Sequence, residues 1–422
     1  MRAVVIGGGV AGSASAIALA RIGADVTVYE AYEDPAGPVG SYVSLAVNGL
    51  RALDALGCLP PVQAAGFPVA RQRMWSGRGK LLGDVARGRR PEDALHSVTI
   101  MRADLVTALR AAALESGARI VTGQRLDGPA DPRTADADLV VGADGIWSAT
   151  RCALDPAAPE PVYAGLYSVS GTSGPLPAGL PRDGFNWIFA ERGVFIFLPA
   201  PDGTVWWTAQ VSAPAPPADP GAIGVAELAA LFATETQAAA VLRAATTVRR
   251  PNLGHVLKPV TRRRAGRIAL IGDAAHPVGA GQGASIAMED AVVLARHLAA
   301  VGAAETGGAG GTDRAGGAGG TDRAGGASGA SRVSGASRVS GTSRVSGTSA
   351  IPAALAAFDA ERQPRAGKLA KMETRNRDAK TAGPIATRMR EVIMPHVFSR
   401  FYENATGWLY DFDPGRLPVA QS

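Results

Sequence analysis

The stretch that decides the fold is Arg2-Ala-Val-Val-Ile-Gly-Gly-Gly-Val-Ala-Gly12, which runs on into an Ala-rich segment ending near Ile22. Val4-Val5-Ile6 is a short apolar run of the kind a strand shows when both of its faces are covered. Gly7-Gly8-Gly9-Val10-Ala11-Gly12 then supplies G-x-G-x-x-G between that strand and a helix. Gly7 allows the tight turn, Gly9 lets a phosphate approach the backbone, and Gly12 lets the helix pack close on the strand. The helix start at Val10 and Ala11 offers N–H groups and the positive end of the dipole to a pyrophosphate. A second strand, Asp25 to Tyr29, ends at Glu30, 18 residues after Gly12, close to the spacing of an acid that accepts ribose hydroxyls. The pattern predicts a dinucleotide site, with a plain glycine turn as the competing reading. The acid favours an adenosine ribose without a second phosphate, hence FAD or NAD rather than NADP.

Two further segments narrow the choice. Asp138-Leu-Val-Val-Gly-Ala-Asp-Gly-Ile-Trp-Ser-Ala-Thr-Arg151 reads as a buried strand that delivers Asp144, Ser148 and Arg151 to one strand end. A structural turn with an Asp cap is the alternative for Asp144. Arg267-Ile-Ala-Leu-Ile-Gly272-Asp273 is a third strand ending in Gly-Asp. Val278-Gly-Ala-Gly-Gln-Gly283 then leads into a helix beginning near Ala284, a second helix start able to meet a ring carbonyl or negative charge. His276 is read as part of this loop's geometry rather than as a base.

In this order the three motifs resemble those of the class A flavoprotein aromatic hydroxylases, the p-hydroxybenzoate hydroxylase-like FAD_binding_3 family. The resemblance implies an α/β fold: a Rossmann-like FAD-binding domain of glutathione-reductase type, an inserted β-sheet substrate domain and C-terminal helices. It implies that Gly7, Gly9, Val10, Ala11 and Gly12 hold the FAD pyrophosphate and Glu30 the adenosine ribose. Gly272 and Asp273 would hold the ribityl chain. The loop to Gly281, Gln282, Gly283 and Ala284 would lie against the isoalloxazine ring. Asp144 would serve FAD and a transient NAD(P)H contact, and Arg102 matches the family's helix-start arginine near the flavin phosphates. The segments from Val39 to Gly57, Glu361-Arg-Gln-Pro-Arg365 and Trp408-Leu-Tyr-Asp-Phe412 extend the likeness over nearly the whole chain.

Residues 155 to 265 read differently, as short strands near Val162–Ser170, Phe185–Ala190, Gly193–Pro199 and Thr204–Val211, with a helix near Val225–Ala245. Their alternating aromatics mean a sheet with one buried face, which the family would set over the flavin. Core packing is the competing reading for each ring. Tyr42, Trp187, Phe197, Gln210 and Pro277 are the candidate substrate-pocket residues, with Tyr163, Tyr167 and His255 as further polar candidates. The expected division is 1–155 with 265–300 for FAD binding, 70–95 being a candidate to join the substrate domain at 156–264. A low-complexity insert at 302–349 and a helical segment at 350–422 follow.

Glycine, 53 of 422 residues, is explained by that division: 15 of them fall in 302–349, among repeated SGASRV-type units that hold too little apolar surface to offset their ordering entropy. The segment reads as a flexible tether, with a switchable binding tail as the alternative. Hydrophobic content of 46% is ample for a core. Two cysteines exclude a disulfide framework, and the five histidines show no metal-ligand spacing, so no metal is expected. The net charge of +6 is spread over dispersed arginines, arguing against nucleic acid as a partner. No signal peptide and no membrane span are read, so a cytoplasmic monomer or homodimer is expected.

The activity the resemblance implies is FAD-dependent monooxygenation of an aromatic or polycyclic small molecule. NADH or NADPH would be the reductant and O2 the co-substrate, through a flavin C4a-hydroperoxide, with no catalytic side chain required. The alternatives are a flavin-dependent epoxidase, oxidase or halogenase on the same scaffold, or a non-catalytic flavin-binding protein. One G-x-G-x-x-G leaves no second Rossmann domain for the nicotinamide cofactor.

Overall fold

The computed structural model describes residues 1–34, 41–177, 179–278, 281–308, 350–380, 395, 398 and 402–418. A six-stranded sheet carries the N-terminal motif. Its order is Arg264–Ala265, Ile268–Leu270, Leu139–Gly142, Arg2–Ile6, Asp25–Tyr29, Arg119–Val121. The five strands after the first pair in parallel, with Arg2 opposite Asp25, Ala3 opposite Leu139 and Ile268 opposite Val140. Parallel strands need crossovers, and the first is the helix Val10–Arg21. Helices covering the sheet explain why Val4-Val5-Ile6 is apolar without alternation. The helix Gly283–Gly308 packs against the first helix and against Val47–Ala55. Val5, Ile17, Leu53, Leu105, Met288 and Leu294 form the heart of this core, all fully buried.

The second layer is an eight-stranded, mostly antiparallel sheet. Its path runs Ala245–Val248, Val162–Ser173, Val205–Ser212, Gly193–Pro199, Phe185–Ala190, Arg71–Ser76, Leu81–Ala86. Asn252–Val256 also pairs with Val162–Ser173. The strand Arg71–Ser76 joins in parallel beside Phe185–Ala190, so residues 71–86 belong to the same sheet as 162–212. One face is covered by two helices, Val225–Leu231 and Thr236–Arg243. The sequence predicted one helix there. It breaks at Phe232–Glu235 because Phe232 plugs the core and the Glu235 carboxylate accepts the Glu191 N–H at 3.0 Å, which holds the chain extended. A three-stranded sheet, Tyr42–Leu45, Ser97–Met101 and Phe67–Val69, bridges the two layers.

The C-terminal part contributes the long helix Ile351–Lys380 and the segment 402–418. The helix from Gly283 continues to Gly308, past the point where the low-complexity insert was expected to begin. Residues 309–349 lie outside the described residues, as do Val39, Gly40, Gly279 and Ala280. Among the described residues no helix is long and apolar enough to cross a membrane, and no group of His, Cys, Asp or Glu could hold a metal ion.

Candidate active site

The glycine motif forms a cradle whose closeness leaves no room for side chains. Gly7 has φ +104°, and a Cβ there would lie 2.4 Å from the Ala143 carbonyl oxygen. A Cβ on Gly12 would lie 1.8 Å from the Gly7 carbonyl oxygen, so this helix can meet its strand only through glycine. Gly9 differs: a Cβ there would meet only the Arg102 guanidinium, 4.0 Å away. Arg102 begins the helix Arg102–Glu115, and its guanidinium comes close to Gly9, next to the start of the helix Val10–Arg21. The set suits a diphosphate: unpaired N–H groups, a dipole end and a guanidinium converge on a backbone without side chains. Glu30 lies at the end of the neighbouring strand, nearly buried. Its carboxylate accepts the Gly8 N–H at 2.6 Å and the Tyr32 N–H at 2.9 Å.

Asp144 sits at the adjacent strand end, but its carboxylate is engaged locally. One oxygen accepts the Ser148 hydroxyl at 2.6 Å; the other accepts the Thr150 N–H and hydroxyl, both at 2.9 Å. It holds the start of the helix Ala149–Leu154, so what this loop presents outward is backbone, with Gly145 at φ +75°. Arg151 is buried and donates to the carbonyls of Ile146 at 2.7 Å and Ala274 at 3.2 Å, tying this loop to the Gly-Asp loop. Burial lowers its pKa.

The Gly-Asp loop is held from below by a charge network that the sequence reading did not anticipate. Asp290 and Glu289, adjacent and fully buried on the helix Gly283–Gly308, meet Arg362 and Arg365 of the last long helix. Asp290 accepts Arg362 Nε at 2.7 Å, the Gly272 N–H at 2.9 Å and His276 Nε2 at 2.7 Å. Glu289 accepts Arg365 Nη2 at 2.7 Å and Asn48 Nδ2 at 2.6 Å, and Asn48 Nδ2 also reaches the Gln282 side-chain oxygen at 3.3 Å. Burial alone would raise the pKa of Asp290; the charges of His276 and Arg362 outweigh it and hold the carboxyl well below its ordinary value. His276 is thus anchored as a loop support. Asp273, by contrast, is exposed, with its carboxylate beside Gly283. Gly281 has φ +99°, and the first bond of the following helix runs from Ile286 N–H to the Gln282 carbonyl, leaving the N–H groups of Gly283 and Ala284 ahead of it.

The face of the eight-stranded sheet turned away from its helices completes the site. Cross-strand partners share a face, and Trp206, Thr208 and Gln210 pair with Leu198, Ile196 and Val194. Trp206, Ile196 and Val194 cluster with Phe185, Trp187, Tyr42 and Phe67. Tyr42 and Trp206 have ring centroids 5.9 Å apart, and Phe67 meets Trp206 edge-on at 5.1 Å. Burial pushes the Tyr42 hydroxyl well above its ordinary pKa, against smaller opposing effects from the Thr208 hydroxyl and the Arg87 charge. Thr208 in turn shares a hydrogen bond with Ser170 at 2.8 Å. The buried Gln210 oxygen has no hydrogen-bond partner among the described residues. Pro277 is half-buried in the loop below, between His276 and Val278.

Phe197 is not part of this face. It lies fully buried on the helix-covered side with Phe195, Trp207 and Phe232, and Tyr167 packs in the same core. Tyr163 and His255 pair at the sheet's outer edge, where His255 meets the exposed Trp147 at 5.0 Å. The structure therefore brings Tyr42, Trp187 and Gln210 to one face and leaves Phe197 and Tyr167 on the other.

A parallel sheet with a glycine cradle, an acid at the second strand end and a Gly-Asp loop define an FAD-binding protein of Rossmann type. The FAD_binding_3 profile, described as FAD binding domain, matches residues 1–313, and the chain belongs to that family. It is 30% identical over 312 residues to an FAD-dependent urate hydroxylase of Klebsiella pneumoniae, covering 70% of this chain and 80% of that one. It is 34% identical over 319 residues to a 3-amino-4-hydroxybenzoate 2-monooxygenase of Streptomyces cremeus, covering 70% and 77%. The crystal structure of Klebsiella pneumoniae HpxO with FAD and uric acid shares the fold, with a TM-score of 0.71 at 23% identity over 98% of this chain and 96% of that one. The protein is an FAD-dependent monooxygenase of the class A flavoprotein group.

Proposed function

We propose that this monooxygenase oxygenates an aromatic or fused-ring small molecule held between the Gly281–Ala284 loop and the aromatic face of the eight-stranded sheet. NADH or NADPH serves as reductant and O2 as co-substrate. The observation that carries this reading is the set of rings at Tyr42, Phe67, Phe185, Trp187 and Trp206 on a face that also carries buried polar groups at Tyr42, Thr208 and Gln210. Stacking and edge-on contacts of this kind contribute about 0.5–1.5 kcal/mol each beyond area burial, enough to orient a flat ligand. The unmet Gln210 oxygen favours a ligand carrying a donor, because a buried acceptor left unpaired costs about 1–3 kcal/mol. Relatives named for urate and an aminohydroxybenzoate are consistent with such a compound.

In this reading Gly7, Gly9, Val10, Ala11 and Gly12 receive the FAD diphosphate with Arg102, Glu30 the adenosine ribose, and Gly272 with Asp273 the ribityl chain. Asp144 shapes its loop through the bonds to Ser148 and Thr150 and offers backbone to the dinucleotide. Bound FAD supplies the redox and oxygen-activating chemistry. The chain's own work is to place the ring and to keep water away from the reacting atoms. Tyr42 stays protonated at neutral pH and so remains both donor and acceptor toward the ligand. Residues 71–86 act with 156–264 as the substrate-side unit. The enzyme works in the cytoplasm, where NAD(P)H is supplied, as a monomer or homodimer.

The test is a screen of phenolic, aminobenzoic and polycyclic compounds on the purified yellow protein, following NAD(P)H consumption and oxygenated product together. At least one compound should stimulate both. Consumption that ends only in hydrogen peroxide, for every compound, would refute the reading in favour of an oxidase.

A further inference from the structure

The aromatic face of the eight-stranded sheet is capped before it reaches the sheet's end. Cross-strand partners carry that face from Trp187 and Phe189 to Met74 and Ser76, and from Met74 to Gly83 on the strand Leu81–Ala86. A Cβ built on Gly83 would lie 1.9 Å from the Phe398 ring, so the ring sits in a socket that only glycine leaves open. Phe398 is buried there with Met74, Leu82 and Val85, and Trp187, Phe189 and Tyr402 pack against the same cluster. The rings of Phe398 and Tyr402 have centroids 5.3 Å apart. The cap is also tied to the other wall of the proposed pocket. The Tyr402 hydroxyl hydrogen-bonds that of Tyr410. Tyr410 is buried with Ile286, and Val278 of the ring loop packs beside them. Asp411 pairs with Arg90, and the Tyr410 carbonyl accepts Arg51 Nη1.

A cap at this place sets a length. Along the strands the apolar run stops at Thr208 and Gln210, so a flat ligand extends across the strands. Beyond Trp206 the face turns polar, at Thr172 and Ser170. The apolar, uncapped face therefore runs from the strand of Trp206 to the strand of Phe185 and Trp187, with one strand between them. Two strand spacings are about 10 Å. The rest of the face, out to the strand of Gly83, lies under Phe398 and Tyr402. The open part has room for two fused six-membered rings in a line and not for three.

Resting on the proposed function, we infer that Phe398, backed by Tyr402, is a specificity-determining residue that ends the pocket on the side of Gly83. The substrate then has one ring or two fused rings in line, and longer polycycles are shut out by the Phe398 ring.

The experiment uses the FAD-loaded enzyme, its Phe398→Ala and Phe398→Leu variants, and a double variant that adds Gly83→Leu to Phe398→Ala and so refills the vacated space from the strand. Each is titrated without oxygen with catechol, naphthalene-2,3-diol and anthracene-2,3-diol, and the flavin spectrum is followed. The wild type should bind at least one of the two shorter diols about tenfold tighter than the anthracene diol, the scale on which an apolar pocket rejects a group too large for it. Phe398→Ala should raise affinity for the anthracene diol relative to the naphthalene diol by about tenfold, Phe398→Leu by less, and the double variant should bring the ratio back to within about twofold of the wild type. FAD content should be equal in all four. A purely structural role for Phe398 would lower the three affinities together and leave their ratio unchanged, which overturns the inference; if Phe398→Ala does not fold, Phe398→Leu gives the same reading. Loss of flavin from either single variant also overturns it, since the ring would then serve the cofactor. A wild type that binds all three diols alike removes the cap and leaves the proposed function standing, whereas one that binds none of them, or carries no flavin, overturns both.

Discussion

Replacing Arg362 by Met removes the guanidinium that bridges Asp290 and Glu289 while keeping a side chain of similar reach. Both acids are fully buried, and the lost bonds are those of 2.7 Å to Asp290 and 2.8 Å to Glu289. Removing one partner of a buried pair costs about 3–5 kcal/mol, because the remaining charge stays out of water. Unfolding entropy near the midpoint is about 2 cal/mol/K per residue. For a chain of 422 residues that is roughly 0.9 kcal/mol/K, so the thermal midpoint should fall by about 3–6 °C. Asp290 also receives the Gly272 N–H and His276, so the Gly-Asp loop should loosen and FAD affinity should fall together with stability. Calorimetry at a fixed scan rate, with and without added FAD, reads both effects. The double variant with Asp290→Asn should recover more than half of the loss, since it removes the stranded charge.

The pH dependence has a defined sign. Asp290 has a folded pKa below its unfolded value of about 3.9. Its contribution is complete above that value and is lost as pH falls through the folded one. The gap between wild type and Arg362→Met should therefore be widest above about pH 4 and close in stronger acid. A midpoint shift of less than about 1 °C, or a double variant that falls by the sum of its parts, would show that these groups do not form a buried, coupled network.

Two further outcomes test the site. Phe197→Ala should cost about 3–5 kcal/mol in thermal unfolding and leave aromatic ligand affinity unchanged, whereas Trp206→Ala should weaken ligand binding; the reverse pattern would mean the two faces of the sheet have been exchanged. Gly12→Ala should abolish stoichiometric FAD binding, read by the flavin spectrum of the purified protein, because its methyl would lie 1.8 Å from the Gly7 carbonyl; full FAD content in a folded variant would remove the cradle from the cofactor site.

The nucleotide half was legible because its constraints are local. Gly7, Gly12 and Glu30 are dictated by a turn, a close approach and a strand end, all within 30 residues. The strands Phe185–Ala190 and Gly193–Pro199 were equally readable from alternation and turn residues. Alternation says that Trp206 and Trp207 point to opposite sides, but not which side the helices cover, and rings occur on both. Phe197 was therefore assignable to the pocket from sequence and to the core only from packing. For Asp144 the sequence left two readings open, and the structure shows its carboxylate bonded to Ser148 and Thr150 at the start of the helix Ala149–Leu154, whose N-cap is Ser148. The buried network also left a trace, two adjacent acids within the apolar run from Ala284 to Ala300. Charges there survive only if cations from elsewhere in the chain reach them, and the partners stand more than 70 residues later, at Arg362 and Arg365.

That network explains why the C-terminal part belongs to the site although it supplies none of the cofactor motif. The helix Gly283–Gly308 presents its first turn to the ring loop and, one to two turns on, Glu289 and Asp290 to the last long helix. Asp290 holds the Gly-Asp loop, and Glu289 reaches Gln282 through Asn48. On the far side, Arg365 donates to the carbonyls of Leu409 and Trp408, and Leu409 and Tyr410 pack with Ile286 and the loop residue Val278. The loop proposed to hold the flavin ring is thus gripped from both ends of the chain. A buried charge cluster is a costly way to gain stability, but its geometry admits few alternatives. A loop that must hold a reactive ring within a fraction of an ångström of its substrate requires that restriction more than it requires stability.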